Sequence, residues 1–315
     1  MKAENRISLV KDLRFVIYLI GICSLIGLFE KIIPILDLFN HFRVQAIVGA
    51  ILVGISAFFL KDRKGCSVAL IIFLLNSSIV GYRIYKTGGI DRLQNINQAQ
   101  ISVVAANVLT SNTEYQSLIN LIAAQNPDVI VLTEVDNKWL DSLKALEETY
   151  KYSIKYPRAD NFGIAAFSKI PMEGEVKSLG MLNLPVLIAT VKGITIFGAH
   201  PIPPASIKKM NDNRKYIEEI AFMVENKEGP FILAGDLNTT LWSSAIDPLI
   251  DTGFKRINPS GISYTWPKGN ALLALQIDHF FGKDIEAADF RVLPSIGSDH
   301  YPIRADILVK DAATN

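Results

Sequence analysis

Four short segments of this chain carry side chains suited to handling a phosphate. Asn107 in AANVL, Glu134 in VLTEVD, Asp236 and Asn238 in LAGDLN, and Asp299-His300 in GSDHYP each close an apolar run. Loops that leave a rigid scaffold at such points commonly carry function. The carboxylates of Glu134, Asp236 and Asp299 offer the oxygen ligands that a hard divalent cation, Mg²⁺ or Mn²⁺, prefers, and no cysteine cluster or His-x-Glu zinc spacing competes with them. Hydrolysis of a phosphoester needs a polarised phosphoryl oxygen, an activated water and a stabilised leaving group. His200, His300 and the carboxylates together cover all three. Asp278 in QIDHFF is the candidate to orient His300, because a working imidazole needs its second nitrogen fixed.

Several of these residues also have plainer readings. Asn107 and Asn238 suit turns that bond their own backbone. His200 before Pro201 could be a loop histidine, and His279 beside Asp278 reads as structural. Arg214 on a predicted helix is either a phosphate contact or a solvated charge, and Trp266 is either core or substrate wall.

The elements that must position these groups follow from periodicity. Apolar, β-branched runs predict strands over 101–108, 128–135, 162–168 and 231–235, with a hairpin of 185–191 and 194–200 about Lys192-Gly193. Helical spacing covers 115–124 and 207–224, and short strands are expected over 263–266, 276–281 and 302–308. Hairpins mixed with packed helices predict an α+β sandwich, sheets inside and helices outside.

Before this half lie three apolar stretches, 13–33, 44–60 and 66–85, each near the roughly 20 residues that cross a bilayer. They read as three transmembrane helices, giving a membrane anchor over 1–85, a polar linker over 86–100 and a catalytic domain over 101–310. Lys2, Arg6, Lys11 and Arg14 precede the first span, and Lys61-Asp62-Arg63-Lys64 packs three more cations into the second turn. By the positive-inside rule both are cytoplasmic, which places everything after Tyr85 outside the cell membrane. Arg83 lies near the outer end, where it can snorkel. Residues 1–100 hold 12 Lys+Arg against 6 Asp+Glu, leaving 20 against 25 of the chain's 32 and 31. A net-acidic catalytic half argues against a long nucleic-acid footprint. Both cysteines, Cys23 and Cys66, fall in apolar stretches.

The order Asn, Glu, His, Gly-Asp-x-Asn, Ile-Asp-His, Ser-Asp-His over residues 101–308 resembles the endonuclease/exonuclease/phosphatase superfamily. The resemblance implies a DNase-I-like four-layered αββα sandwich. It implies Glu134 as principal metal ligand with Asn107 and Asp299 near the metal, Asp236 and Asn238 placing water and phosphate, and Asp278 with His300 as an Asp-His pair. Histidine at position 200 looks like the nuclease, sphingomyelinase and inositol-phosphatase branches, whereas abasic-site endonucleases carry tyrosine there. Three spans before such a domain, with HPIPP, Asn213-Arg214 and the TWP at Thr265 to Pro267, look like the bacterial membrane-bound VanJ-like branch.

The expectation is therefore a membrane-tethered phosphoesterase acting on a diester or monoester, with membrane lipids as surroundings, a lipid-linked phosphate as the attractive substrate and no obligate protein partner evident. Arg214 and Trp266 are the expected substrate contacts. An extracytoplasmic nuclease, or a non-catalytic binding module on the same fold, are the alternatives.

Overall fold

A computed structural model describes residues 3–258 and 261–309, so Lys2 and residue 310 of the expected anchor and domain lie outside the described residues. The chain divides into two compact units, Met1–Lys86 with Leu241–Ser244, and Thr87–Thr240 with Ala245–Asn315.

The first unit is built on α1 (Ala3–Ile26), α2 (Arg43–Phe59) and α3 (Arg63–Lys86), with a 3₁₀ segment Pro34–Phe42 leading into α2. Three helices, Glu4–Phe29, Pro34–Phe59 and Arg63–Lys86, are long and apolar enough to cross a membrane. The second begins earlier than its apolar run suggests, because Pro34–Phe42 winds directly into it. Ile17, Ala50, Val53, Ala69 and Ile72 pack where the helices meet. Above them sits a buried polar group that hydropathy averages hide. Arg43 Nη1 donates to Ser24 O at 2.7 Å and Asn76 Oδ1 at 3.0 Å, its other nitrogens donate to Asn40 Oδ1, and Asn40 Nδ2 donates to Asp37 Oδ1 at 3.0 Å. Ser243 Oγ donates to Asp37 Oδ2 at 2.6 Å. Arg83 does not snorkel: it is buried and donates to the carbonyls of Leu241 and Ser243. Charged groups in low dielectric persist only when satisfied in this way.

The second unit runs β1 (Asp91–Arg92), β2 (Ile101–Asn107), α4 (Tyr115–Gln125), β3 (Val129–Thr133), α5 (Asn137–Ser142), β4 (Tyr152–Tyr156), β5 (Ile164–Ser168), β6 (Met172–Leu179), β7 (Leu184–Val191), β8 (Ile194–Ala199), α6 (Ile207–Val224), β9 (Phe231–Asp236), α7 (Asp247–Asp251), β10 (Lys255–Arg256), β11 (Asp278–Lys283), β12 (Ile285–Val292) and β13 (Ile303–Val309). Among the described residues these strands form two sheets, ordered β1-β12-β13-β2-β3-β5-β4 and β10-β11-β9-β8-β7-β6.

The sheets stack face to face, as the α+β sandwich reading expects. Val103, Ala105, Val129 and Val131 of the first sheet share a core with Leu187, Ile196, Ile232 and Phe280 of the second. The alternate residues Val104, Ala106, Ile130 and Leu132 point the other way, onto Leu118 and Ile122 of α4 and Trp139 of α5. Burial on both faces explains why these strands read as continuous apolar runs. On the second sheet's side, α6 buries Met210, Tyr216, Ile217, Ile220 and Val224.

Residues 86–100 are not a free linker. Asp91–Arg92 pairs in parallel with β12, Ile90 N donates to Arg256 O at 3.1 Å, and Leu93 N donates to Ala288 O at 3.0 Å. An edge pairing of this kind needs no apolar periodicity, so the polar composition concealed it. The expected strand over 263–266 reduces to one bridge, Trp266 to Leu275.

Tyr216 anchors α6 to the second sheet. Its hydroxyl donates to Pro185 O at 2.7 Å and lies 3.4 Å from the His200 backbone N–H, which donates to it. Full burial pushes its phenol pKa far up. Tyr216→Phe strands a buried carbonyl, so thermal unfolding of the full chain in detergent should show a loss of about 1–3 kcal/mol. The exposed Tyr156→Phe should stay within about 0.5 kcal/mol of wild type.

Candidate active site

Strand register delivers the site. β2 and β3 run parallel with Asn107 opposite Thr133, so Glu134 emerges beside Asn107. β8 and β9 run parallel with Ala199 opposite Gly235, which brings His200 alongside Asp236. β9 and β11 run antiparallel with Asp236 directly opposite Asp278. This approach requires glycine at 235: its φ is +139°, and a Cβ there would lie 2.2 Å from Ala199 O.

Glu134 sits in the left-handed region at φ +63°, a conformation that costs a non-glycine residue about 1–3 kcal/mol. Three contacts hold it there. Asn107 Nδ2 donates to Glu134 Oε1 at 2.9 Å, Thr110 Oγ1 donates to Glu134 O at 2.9 Å, and Thr110 N donates to Oε2 at 3.3 Å. Asn107 Nδ2 also reaches Asp236 Oδ2 at 3.1 Å, while its Oδ1 accepts Leu109 N–H. Its amide oxygen is thus engaged by the Leu109 N–H, and its amide nitrogen links the two carboxylates Glu134 and Asp236.

Asp236 is buried between two imidazoles, with Oδ2 at 3.5 Å from His200 Nε2 and 3.6 Å from His300 Nε2. Its Oδ1 accepts Asn238 N–H at 2.8 Å, and Asn238 Nδ2 donates to Pro201 O at 3.0 Å. Burial opposes ionisation of Asp236, but the charge of His300 and the His200 hydrogen bond outweigh it and hold the carboxyl at about 2. His300 Nδ1 lies 2.9 Å from Asp278 Oδ2, the predicted pair. Burial disfavours the imidazolium, yet Asp278 and Asp236 on either side raise the pKa of His300 to about 10. Asp236, Asp278 and His300 are close enough to hold an ion, and without one the imidazolium of His300 offsets one of the two carboxylate charges. Glu134 and Asp299 have no Lys or Arg partner among the described residues and offer further carboxylate oxygens to a metal in the same cleft.

Trp266 contributes differently from a simple substrate wall. It lines the cleft, lies 6.2 Å from the His300 ring, and its Nε1 donates to Asp299 Oδ2 at 2.9 Å. Lys268 N donates to Asp299 O at 2.7 Å, and Thr265 Oγ1 accepts the Asp278 N–H at 3.2 Å. The TWP segment thus fixes both acids. His279 is structural, its Nε2 lying 2.8 Å from Thr239 O. Arg214 is not among the cleft-lining residues.

The cleft encloses about 390 Å³ and is lined by Glu134, His200, Asp236, Asn238, Asp299 and His300 together with Phe162, Ile202, Pro203 and Lys209. Phe162 lies 5.3 Å from the His200 ring. Thr110, Phe162, Lys209 and Tyr216 carry no motif of their own. The one sequence signal for them was proximity, Thr110 to Asn107 and Lys209 to the start of the 207–224 helix.

Two sheets in this order, with carboxylates, amides and two histidines gathered at one end of the strands, define a hydrolase acting on phosphoesters. The Endonuclease/Exonuclease/phosphatase family model matches residues 104–300, and the chain belongs to that family. Its fold is shared with a Neisseria 3′ phosphatase bound to product DNA hairpin, at 19% identity and TM-score 0.56, covering 66% of this chain and 99% of that one. An Archaeoglobus fulgidus AP endonuclease matches at 13% identity and TM-score 0.54, with 66% and 99% coverage. Sphingomyelinase C from Streptomyces griseocarneus matches at 19% identity and TM-score 0.51, with the same coverage. Among curated proteins no sequence matches.

Two measurements probe this geometry. In the metal-free protein His300 should stay charged through neutral pH, its ring ¹⁵N signals moving only near pH 10 instead of 6.5, and Asp278→Asn should bring that midpoint down. Unchanged titration in the variant would separate His300 from Asp278. Trp266→Phe keeps the ring against His300 but removes the donor to Asp299, so metal affinity should fall roughly 10- to 100-fold.

Proposed function

We propose that the chain is a divalent-metal-dependent phosphoesterase, tethered to a membrane by its three apolar helices and hydrolysing a phosphodiester or phosphomonoester, preferentially lipid-linked, outside the cytoplasm. The observation that carries the reading is the pair of cleft-lining carboxylates, Glu134 and Asp299, which have no Lys or Arg partner among the described residues and stand beside the net-anionic Asp278–His300–Asp236 group. These two acids would hold Mg²⁺ or Mn²⁺, whose chemistry is to polarise a phosphoryl oxygen and acidify a bound water.

The protein's own groups divide the remaining work. His300, charged and fixed by Asp278, presents a proton and a positive charge where the phosphoryl group or its leaving oxygen gathers negative charge. Asp236, ionised between the rings of His200 and His300, would position or activate the attacking water. His200 and Asn238, fixed by Tyr216 and Pro201, border the same volume. Phe162, Ile202 and Ile277 give the leaving group an apolar wall, which with the apolar helices supports a lipid-linked substrate.

The test is hydrolysis by the full chain in detergent micelles, offered a phospholipid, a polyprenyl phosphate, an inositol phosphate and DNA. A chelator should abolish turnover, Mg²⁺ or Mn²⁺ should restore it, and Glu134→Ala should lower kcat at least about 100-fold. Activity that survives chelation or the substitution overturns the metal reading, and turnover of DNA alone makes the chain a surface nuclease. Thr149→Cys should react with an impermeant maleimide in intact cells, and protection there would place the domain on the other side.

A further inference from the structure

The anchor carries a charged pocket of its own. One face of α1 repeats Arg6, Val10 and Arg14 at four-residue spacing, with Ile7 and Lys11 alongside. This face and the turn 60–62 between α2 and α3 enclose about 620 Å³. Hydrogen bonds pin the two walls together: Arg6 Nη2 donates to Leu60 O at 2.6 Å, Arg14 Nε donates to Asp62 Oδ2 at 2.9 Å, and Arg14 Nη2 donates to the other carboxylate oxygen. That pairing neutralises Asp62, the one acid among the lining residues, and leaves Arg6, Lys11 and Lys61 without a carboxylate partner among the described residues. Lys61 holds its place at φ +56°, a left-handed conformation that glycine or asparagine adopts more readily, so its charge stands over the pocket at a conformational cost. Depth completes the picture. The helix Glu4–Phe29 has 26 residues and spans about 39 Å at about 1.5 Å per residue, against a hydrocarbon core of about 30 Å. No charged residue occurs from Phe15 to Phe29, so the excess length falls at the basic end and puts the pocket at headgroup level.

We propose that this pocket binds one anionic phospholipid, its headgroup phosphate on Arg6, Lys11 and Lys61 and its glycerol and upper acyl segment on Ile7, Val10 and Leu60. The proposal rests on the membrane-spanning reading of the three helices and not on the phosphoesterase chemistry. A free anion uses the charges alone and leaves the apolar wall in water. A zwitterionic lipid brings its own cation among three others, where like charges repel. A net-negative phosphodiester with alkyl chains satisfies both halves of the pocket, and the charge-assisted hydrogen bonds to its phosphate are stronger at the membrane surface than in bulk water.

Native mass spectrometry of the full chain, released from a neutral detergent, counts bound phosphatidylglycerol and phosphatidylcholine carrying the same acyl chains. One phosphatidylglycerol should be retained, with a preference of roughly tenfold over phosphatidylcholine, and Lys11→Gln or Lys61→Gln should each lower that preference roughly three- to fivefold. Both variants leave the Arg14–Asp62 pair in place, and Lys61→Gly, which the left-handed backbone suits, should lose the same preference in a chain that stays folded. Lys64→Gln removes a charge from the same end of the anchor but outside the pocket, and should leave the preference unchanged. An equal loss in Lys64→Gln would reduce the effect to general surface charge and overturn the site. Displacement of the lipid by inorganic phosphate alone would make it a free-anion site, and equal retention of both lipids would leave the cations without a role; either result overturns the proposal. Carbonate extraction of liposomes holding the chain separates the two readings: release overturns the membrane anchor and this site together, whereas retention without a lipid preference overturns this site alone.

Discussion

The second unit depends on one buried anion. Asp236 lies opposite Asp278 across two antiparallel strands and between the rings of His200 and His300, with Asn107 donating from the other sheet. An ionised carboxylate in this setting is tolerable only while those partners stay in place. Each partner comes from a different strand end, so the electrostatic need of one side chain fixes how β2, β8, β9 and β11 align. The glycine at 235, the strained backbone of Glu134 and the hydroxyl of Tyr216 all serve that alignment.

Much of this was legible in the sequence. Strands buried on both faces announce themselves as apolar runs, and the acids at their ends are displaced from the core only because something uses them. The Asp278–His300 pair followed from the need to orient an imidazole, and the structure joins them directly. Illegible were the sheet margins. β4 and β6 are largely exposed, so their composition carries little signal, and β1 hides in a polar stretch because an edge strand needs backbone partners more than apolar side chains.

Side-chain direction was the other blind spot. The hydrogen bonds of Trp266 to Asp299 and of Asn107 to Glu134 and Asp236 could not be read from the sequence, because residue type does not say which atom faces which neighbour. In the first unit the same limit applies at larger scale. Averages over a helix register oil, yet Arg43, Asn40, Asp37, Asn76 and Ser24 form a closed polar group among the apolar residues. Helix length and hydropathy identify such an element, whereas its specificity of packing resides in a few polar side chains that those measures count as defects.

The site draws on residues as far apart along the chain as Asn107 and His300. A ribosome therefore delivers the aspartate at 236 and its companion at 278 well before the imidazole that neutralises them. Until the Ser298–His300 segment arrives, the partly made domain holds a carboxylate pair that has every reason to stay hydrated and apart. A fragment ending before Ser298 would therefore carry both carboxylates without the imidazole that lies between them.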